Sequence, residues 1–353
     1  MDRNFILALV LTALIFVGYD TLIVAPKREA IEAQRQAAAE QAAAEAEAGG
    51  VELSSVDDLV QPMVTNAPIS REDALAKSPG RLSIETPQLK GSINLRGLTF
   101  DDVTLTQFRE TVEPDSQQVT ILTPQATGSA RYLRAGVFIN NKPDDGVVWQ
   151  APEGAVLTPE TPVTLTRNAD GIEHKAEIAV DDKFMFTVTH TVVNRTSEDI
   201  TVMPYGASSQ RGIPADLENF MILFEGPLSV VDGHLTERKY KKLLKNNSSV
   251  EENGTHGWVG ITDKFWLGAV IPPQGQPFKT KLDARNGATP TFRALYQQDV
   301  ITVPSGQGTT VSSHIFAGAK QVEVLKGYQK PVAEGGLNID GFDRAVDWGN
   351  FFF

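Results

Sequence analysis

From Leu82 onward, apolar residues recur at alternate positions in short runs broken by Gly, Pro, Asn and Asp, and that period of two restricts the chain more than any other feature. Alternation sends successive side chains to opposite faces of an extended segment, so each run reads as a strand with one face to bury. Ile172–Val180, a turn at Asp181–Asp182 and Lys183–Asn194 make the clearest hairpin. In its second strand Phe184, Phe186, Val188 and His190 share one face, and Met185, Thr187, Thr189 and Thr191 share the other. Upstream, Leu89, Gly91, Ile93 and Leu95 fall on one side, with turns expected at Gly97 and at Asp101–Asp102. Further strands are expected at 200–203, 228–231, 258–262, 265–272, 291–296, 300–303 and 311–317. Helical patterns between the runs are largely missing, which argues against parallel βαβ units. The expected fold is therefore mainly β, a large antiparallel sandwich of two extended sheets over residues 81–320.

Ahead of this body the pattern differs. Phe5 to Ala25 is apolar apart from Asp20, and at about 1.5 Å per residue it spans about 32 Å, close to the roughly 30 Å hydrocarbon core. Residues 1–26 are thus expected to form one transmembrane anchor. A cleaved signal peptide would place Ile23 and Ala25 at the −3 and −1 positions with Pro26 after the scissile bond; the bulky residue and the proline both disfavour cleavage. Residues 27–80 form a linker. Its first part is an Ala/Glu/Gln run with Ile31 almost the sole large apolar residue, either a solvated helix or a spacer. Its second part is polar, broken by Pro62, Pro68 and Pro79.

After the strands, residues 321–340 read as a short amphipathic helix, with Val322, Leu325 and Tyr328 near one face, and a connector packing on the sandwich. Residues 341–353 read as the start of a second amphipathic helix. At about 100° per residue, Phe342, Ala345, Val346, Trp348, Gly349, Phe352 and Phe353 gather on one arc, with Phe351 outside it. Phe342, Val346, Trp348, Phe352 and Phe353 are the candidates for a membrane interface. Docking of the same face on the sandwich is the competing reading, and the pattern does not separate the two. A terminus of three phenylalanines exposes large apolar area in water, so the chain reads as cut short.

Composition removes several classes of function. A formal charge of −12 argues against nucleic acid as a partner. The absence of cysteine excludes disulfides and thiolate metal sites. Phosphate-loop, H-E-x-x-H and G-x-S-x-G motifs are missing, and His174, His190, His234, His256 and His314 lack metal-ligand spacing. The chain is read as no enzyme and as needing no cofactor. Arg238, Lys239, Lys241, Lys242 and Lys245 form the one basic cluster, either a solvated hairpin or a polar contact patch for anionic headgroups or an acidic partner. Trp258, Phe265 and Trp266 read as core aromatics before a ligand platform.

Four stretches together resemble the YidC family of bacterial membrane-protein insertases: LKGSINLRGLTFDD (89–102), GWVGITDKFWLGAVIP (257–272), FAGAKQVEVLKGY (316–328) and FDRAVDWG (342–349), with an opening RNFILALVL that matches too. The resemblance implies a cytoplasmic N-terminus, an inner-membrane anchor and a periplasmic super-sandwich similar to mutarotase-like folds. It also implies a membrane core that follows and is not contained in this sequence. Implied partners are inner-membrane lipid, nascent membrane proteins received by that core, and the Sec translocon with SecD–SecF. Charge counting across the anchor is nearly balanced, or leans against an exported body, so the orientation comes from the resemblance. The main alternative is a tethered carbohydrate-binding or sugar-modifying sandwich, using His174, His256 or His314 with an acid such as Glu177. A scaffold tethered near the membrane is the third reading.

Overall fold

The hairpin signalled at Asp181–Asp182 forms as expected, and the rest of the architecture grows outward from it. The structure is a computed structural model, and it describes residues 68–346 apart from 114, 145, 215–216, 218–222 and 246–247. The expected anchor and most of the linker lie outside the described residues. Among those described, no helix is long and apolar enough to cross a membrane.

Eleven strands make the larger sheet: β1 (Arg81–Glu85), β2 (Leu89–Asn94), β3 (Thr99–Arg109), β4 (Gln118–Leu122), β5 (Arg131–Ile139), β6 (Val156–Leu157), β10 (Ile200–Arg211), β13 (Val250–Gly254), β16 (Phe278–Arg285), β17 (Thr291–Gln298) and β18 (Ile301–Val303). Eight make the smaller one: β7 (Val163–Ala169), β8 (Ile172–Val180), β9 (Met185–Asn194), β11 (Gly226–Val231), β12 (His234–Glu237), β14 (Gly257–Thr262), β15 (Trp266–Ile271) and β19 (Gly308–Ala319). The larger sheet runs β13-β16-β17-β10-β5-β3-β2-β1-β6, with β18 on β10 and β4 on β3; the smaller runs β12-β11-β14-β15-β19-β9-β8-β7. Pairing is antiparallel except between β1 and β6, which are parallel. Three short α-helices are described: α1 (Arg71–Ala76), α2 (Tyr240–Leu243) and α3 (Val322–Gln329).

Apolar positions of both sheets meet in one core. Phe100 of β3 lies edge-on to Phe186 of β9 with ring centres 5.2 Å apart, and Leu133, Val188, Trp258 and Ile315 are buried in the same cluster. The turn expected at Asp101–Asp102 is instead a bulge inside β3. Ile93 pairs with Phe100 and Ser92 with Asp102, leaving Asp101 as the extra residue. The bulge sets two successive carboxylates on one side of the strand, each buried and each held by an arginine, Arg81 on Asp101 and Arg71 on Asp102. Gly97 marks the chain reversal, with a positive φ of 62°. Burial of carboxylates in ion pairs explains why acids that read as turn residues sit within a strand.

Candidate functional site

Three places on the body gather the candidate side chains: the C-terminal dock, a polar cleft and the basic helix.

The dock begins with α3. Leu325 and Tyr328 are buried, and the Tyr328 hydroxyl donates to Asp181 Oδ2 at 2.5 Å. Asp181 Oδ1 accepts the backbone N–H groups of Lys183 and Met185, so the helix is fastened to the hairpin turn. The chain then folds back, with the N–H groups of Leu337 and Ile339 both donating to the Tyr328 carbonyl at 3.0 and 3.2 Å. A 3-10 turn at Phe342–Ala345 follows, where an α-helix was expected. Phe342 is fully buried, edge-on to Trp258 and Phe316 with ring centres 5.2 Å apart in each case. The Trp258 indole N–H donates to the Gly341 carbonyl. Phe342 is therefore a core residue and not a membrane-interface residue, because three aromatic edges cover the ring that the pattern would have offered to lipid. Val346 is half-buried against the same core. Trp348, Phe352 and Phe353 lie outside the described residues.

The cleft, of about 350 Å³, opens where β5, β8 and the 140–144 and 196–199 segments meet, and Asp144, Arg167, Asp170 and His174 are among its lining. The alternation puts His174 on the core face of β8 with Ala176 and Ile178, and His190 on the core face of β9. Register makes them diagonal neighbours, since Ala176 pairs with His190 and His174 with Val192. His190 Nε2 lies 3.0 Å from the Ala135 carbonyl, so it carries the proton; His190 Nδ1 then accepts from His174 Nε2, also at 3.0 Å. Burial drives the His174 pKa down to about 2, helped by the neighbouring His190 and Arg167, and burial lowers His190 as well. Asp144 accepts the Tyr205 hydroxyl at 2.7 Å, and burial holds its carboxyl above the usual range.

Burial lowers both imidazoles, while the unfolded chain protonates near pH 6.5; the stabilising contribution of His174 is therefore complete above that pH and declines as pH falls toward 2, and His190 acts in the same direction. His174→Gln is expected to flatten the acid limb of a urea-denaturation series by about 1.4 kcal/mol per pH unit between about pH 6 and 4. An unchanged slope would mean that the pair takes up its proton without unfolding.

The sugar-site residues do not converge. Glu177 points to the face opposite His174, as its exposure in the alternation requires. His314 pairs with Thr187 and sits on that outer face, its Nδ1 3.1 Å from the Thr187 hydroxyl. His256 lies on a loop beside Asp232. The basic cluster is likewise not a hairpin: Arg238 follows the last residue of β12, and Lys239, Lys241, Lys242 and Lys245 lie on or beside α2. Tyr240 and Leu243 are its buried anchors. Trp258 is core as expected, whereas Phe265 is 56% exposed. Period two could have flagged the buried His174–His190 pair; only the register could bring the rings together.

Stacked, largely antiparallel sheets with a helical dock near the C-terminal end define the class, a large two-sheet β-sandwich domain. The family model described as the YidC periplasmic domain matches residues 81–353. A membrane protein insertase YidC of Beijerinckia indica is 36% identical, covering 100% of this chain and 59% of the relative. One from Rhizobium meliloti is 34% identical with the same coverage. The chain belongs to the YidC family, and it spans 59% of the length of these relatives. Among solved structures, a galactose mutarotase-like protein from Lactobacillus casei covers 67% of this chain and is itself covered in full, at 10% identity and a TM-score of 0.45. That likeness carries no argument about function.

Proposed function

We propose that the chain supplies the anchor, linker and periplasmic body of a membrane-protein insertase that helps inner-membrane proteins insert and fold, alone or with the Sec translocon and its SecD–SecF accessory proteins. One observation carries the proposal: relatives named as insertases align along 100% of the chain at 34–36% identity. Residues 1–26 span the inner membrane with the N-terminus in the cytoplasm, residues 27–80 are the tether, and the sandwich stands in the periplasm. Incoming membrane segments are handled by the part of the relatives that lies beyond this chain. The body's share is positional, since the dock joins α3, the hairpin turn and Phe342 into one unit close to where that part follows.

Protease added to intact spheroplasts tests the topology. Cleavage within the body without lysis is the expected result. A body cut only after lysis lies on the cytoplasmic side, and the proposal fails.

A further inference from the structure

The lysines of α2 and an exposed aromatic occupy one end of the smaller sheet. Tyr240 and Leu243 are buried against Phe292 and Ile261, with the Tyr240 and Phe292 ring centres 4.6 Å apart. This packing turns Lys239, Lys241, Lys242 and Lys245 to the surface, and none pairs with a carboxylate among the described residues. From Glu237 to Lys245 five cations meet one acid, in a chain whose formal charge is −12. Nearby carboxylates are engaged elsewhere. Glu252 accepts from Ser229 and Thr236, Glu251 faces Lys281 at 3.5 Å, and Asp263 holds Arg131 at 2.8 Å.

Register places the second feature. Gly226 pairs with Thr262, and the Arg238 N–H donates to the Pro227 carbonyl at 3.0 Å. The turn between β14 and β15 therefore lies beside the start of the lysine segment, within on the order of 15 Å by strand spacing. On that turn Phe265 stands 56% exposed, with the Lys264 ammonium 5.3 Å from the ring centre. The start of the described chain is near the same end, since Arg131, held by Asp263, bridges to Thr123, and Ile69 donates to the Ala126 carbonyl.

We infer that this end of the body docks on anionic phospholipid headgroups, the four lysines meeting phosphates while Phe265 enters the interfacial layer. The inference rests on the membrane-held reading above. Ammonium groups on and beside an exposed helix suit a diffuse layer of phosphates, and the one guanidinium beside them, that of Arg238, donates to the Glu237 carbonyl. A lone exposed ring lacks the apolar centre of a protein interface but suits the headgroup boundary.

The chain has no cysteine, so Ser249→Cys gives a single labelling point close to Lys245. The labelled full chain is reconstituted in vesicles of phosphatidylcholine, with or without phosphatidylglycerol, and its quenching by a headgroup-nitroxide lipid is read. Quenching that needs phosphatidylglycerol and disappears in about 1 M salt, where the Debye length is about 3 Å, is expected. Lys239→Gln, Lys241→Gln and Lys242→Gln together should cut the docked-to-free ratio on the order of a hundredfold, roughly fivefold per lysine. Phe265→Ser should weaken docking by a smaller factor. Equal quenching in neutral vesicles overturns the inference, as does a triple variant that docks like its parent with an unchanged circular dichroism spectrum. Lysine-dependent capture of polyglutamate without quenching in phosphatidylglycerol would assign the surface to an acidic protein instead. Vesicle docking and protease topology are read separately, so a misplaced body and a lipid-indifferent one give different results.

Discussion

Gly91→Ala is expected to lower the stability of the body by about 4 kcal/mol, through backbone strain together with displacement of two part-buried ion pairs. Gly91 lies on β2 opposite the bulge, with φ at +148°, a region that side chains rarely adopt. A Cβ built there would lie 2.0 Å from the Asp102 carbonyl oxygen, so β3 has to move away. Movement of Asp102 disturbs its bonds to Arg71 and to the Ser92 hydroxyl, the latter 2.7 Å, and the neighbouring Arg81–Asp101 pair shares Ser92 through a 2.7 Å bond. Thermal melts should show a fall of about 10 °C, at roughly 2–4 °C per kcal/mol for a domain of this size. Gly327→Ala is the control. It sits inside α3 with nothing within 4 Å of an added Cβ, and helix propensity favours the change by up to about 1 kcal/mol. A Gly91→Ala chain melting within about 2 °C of its parent would contradict the close approach, given the same scaling.

Gly91 also shows what the sequence made legible. Its place in LKGSINLRGLTFDD was visible as part of a family pattern, but the reason for a glycine there was not. That reason is a bulge residue on a different strand, and bulges leave no mark in a period-two pattern other than a shift of phase. In a local window the acids at 101 and 102 look like turn formers, because unpaired carboxylates belong on loops. Their partners, Arg71 and Arg81, come from α1 and β1, and long-range pairing of that kind is invisible in a local window. Local rules did succeed where one face is buried and the turn is short. The Ile172–Asn194 hairpin, its face assignments and the lack of crossover helices all followed from alternation.

The candidate sites were legible to different degrees for the same reason. The basic cluster is plain as charge in the sequence, but its helical shape is not, because Tyr240 and Leu243 are buried against Phe292 and Ile261 from distant strands. The histidines looked scattered because 16 positions separate His174 from His190, and a hairpin register is needed to bring them into contact. By residue type alone Phe265 looks like a core aromatic. Its position at the tip of a tight turn is what exposes it.

Phe342→Ala is expected to loosen the C-terminal dock by about 3–5 kcal/mol, the usual cost of removing a buried phenylalanine ring. The ring is fully buried and touches Trp258, Phe316 and Tyr328, which belong to three separate elements. Its loss leaves a cavity at their junction, and the segment after α3 can detach without unfolding the two sheets. The effect should therefore be local. Hydrogen exchange at the Leu337 and Ile339 amides, both bonded to the Tyr328 carbonyl, should quicken on the order of a hundredfold or more, since 1.4 kcal/mol is a factor of about ten. Amides in β9 and β19 should change little. Phe342→Leu, which keeps most of the apolar volume, should cost less than about 1.5 kcal/mol. If Phe342 served lipid instead of the core, alanine in its place would leave the exchange of Leu337 and Ile339 unchanged in detergent, and the two amides distinguish these outcomes directly. The same dock holds the chain just before Val346, so a loosened dock also lets the body drift relative to whatever follows it. On the insertase proposal above, membrane-protein insertion read alongside the exchange rates is expected to fall in Phe342→Ala and recover in Phe342→Leu.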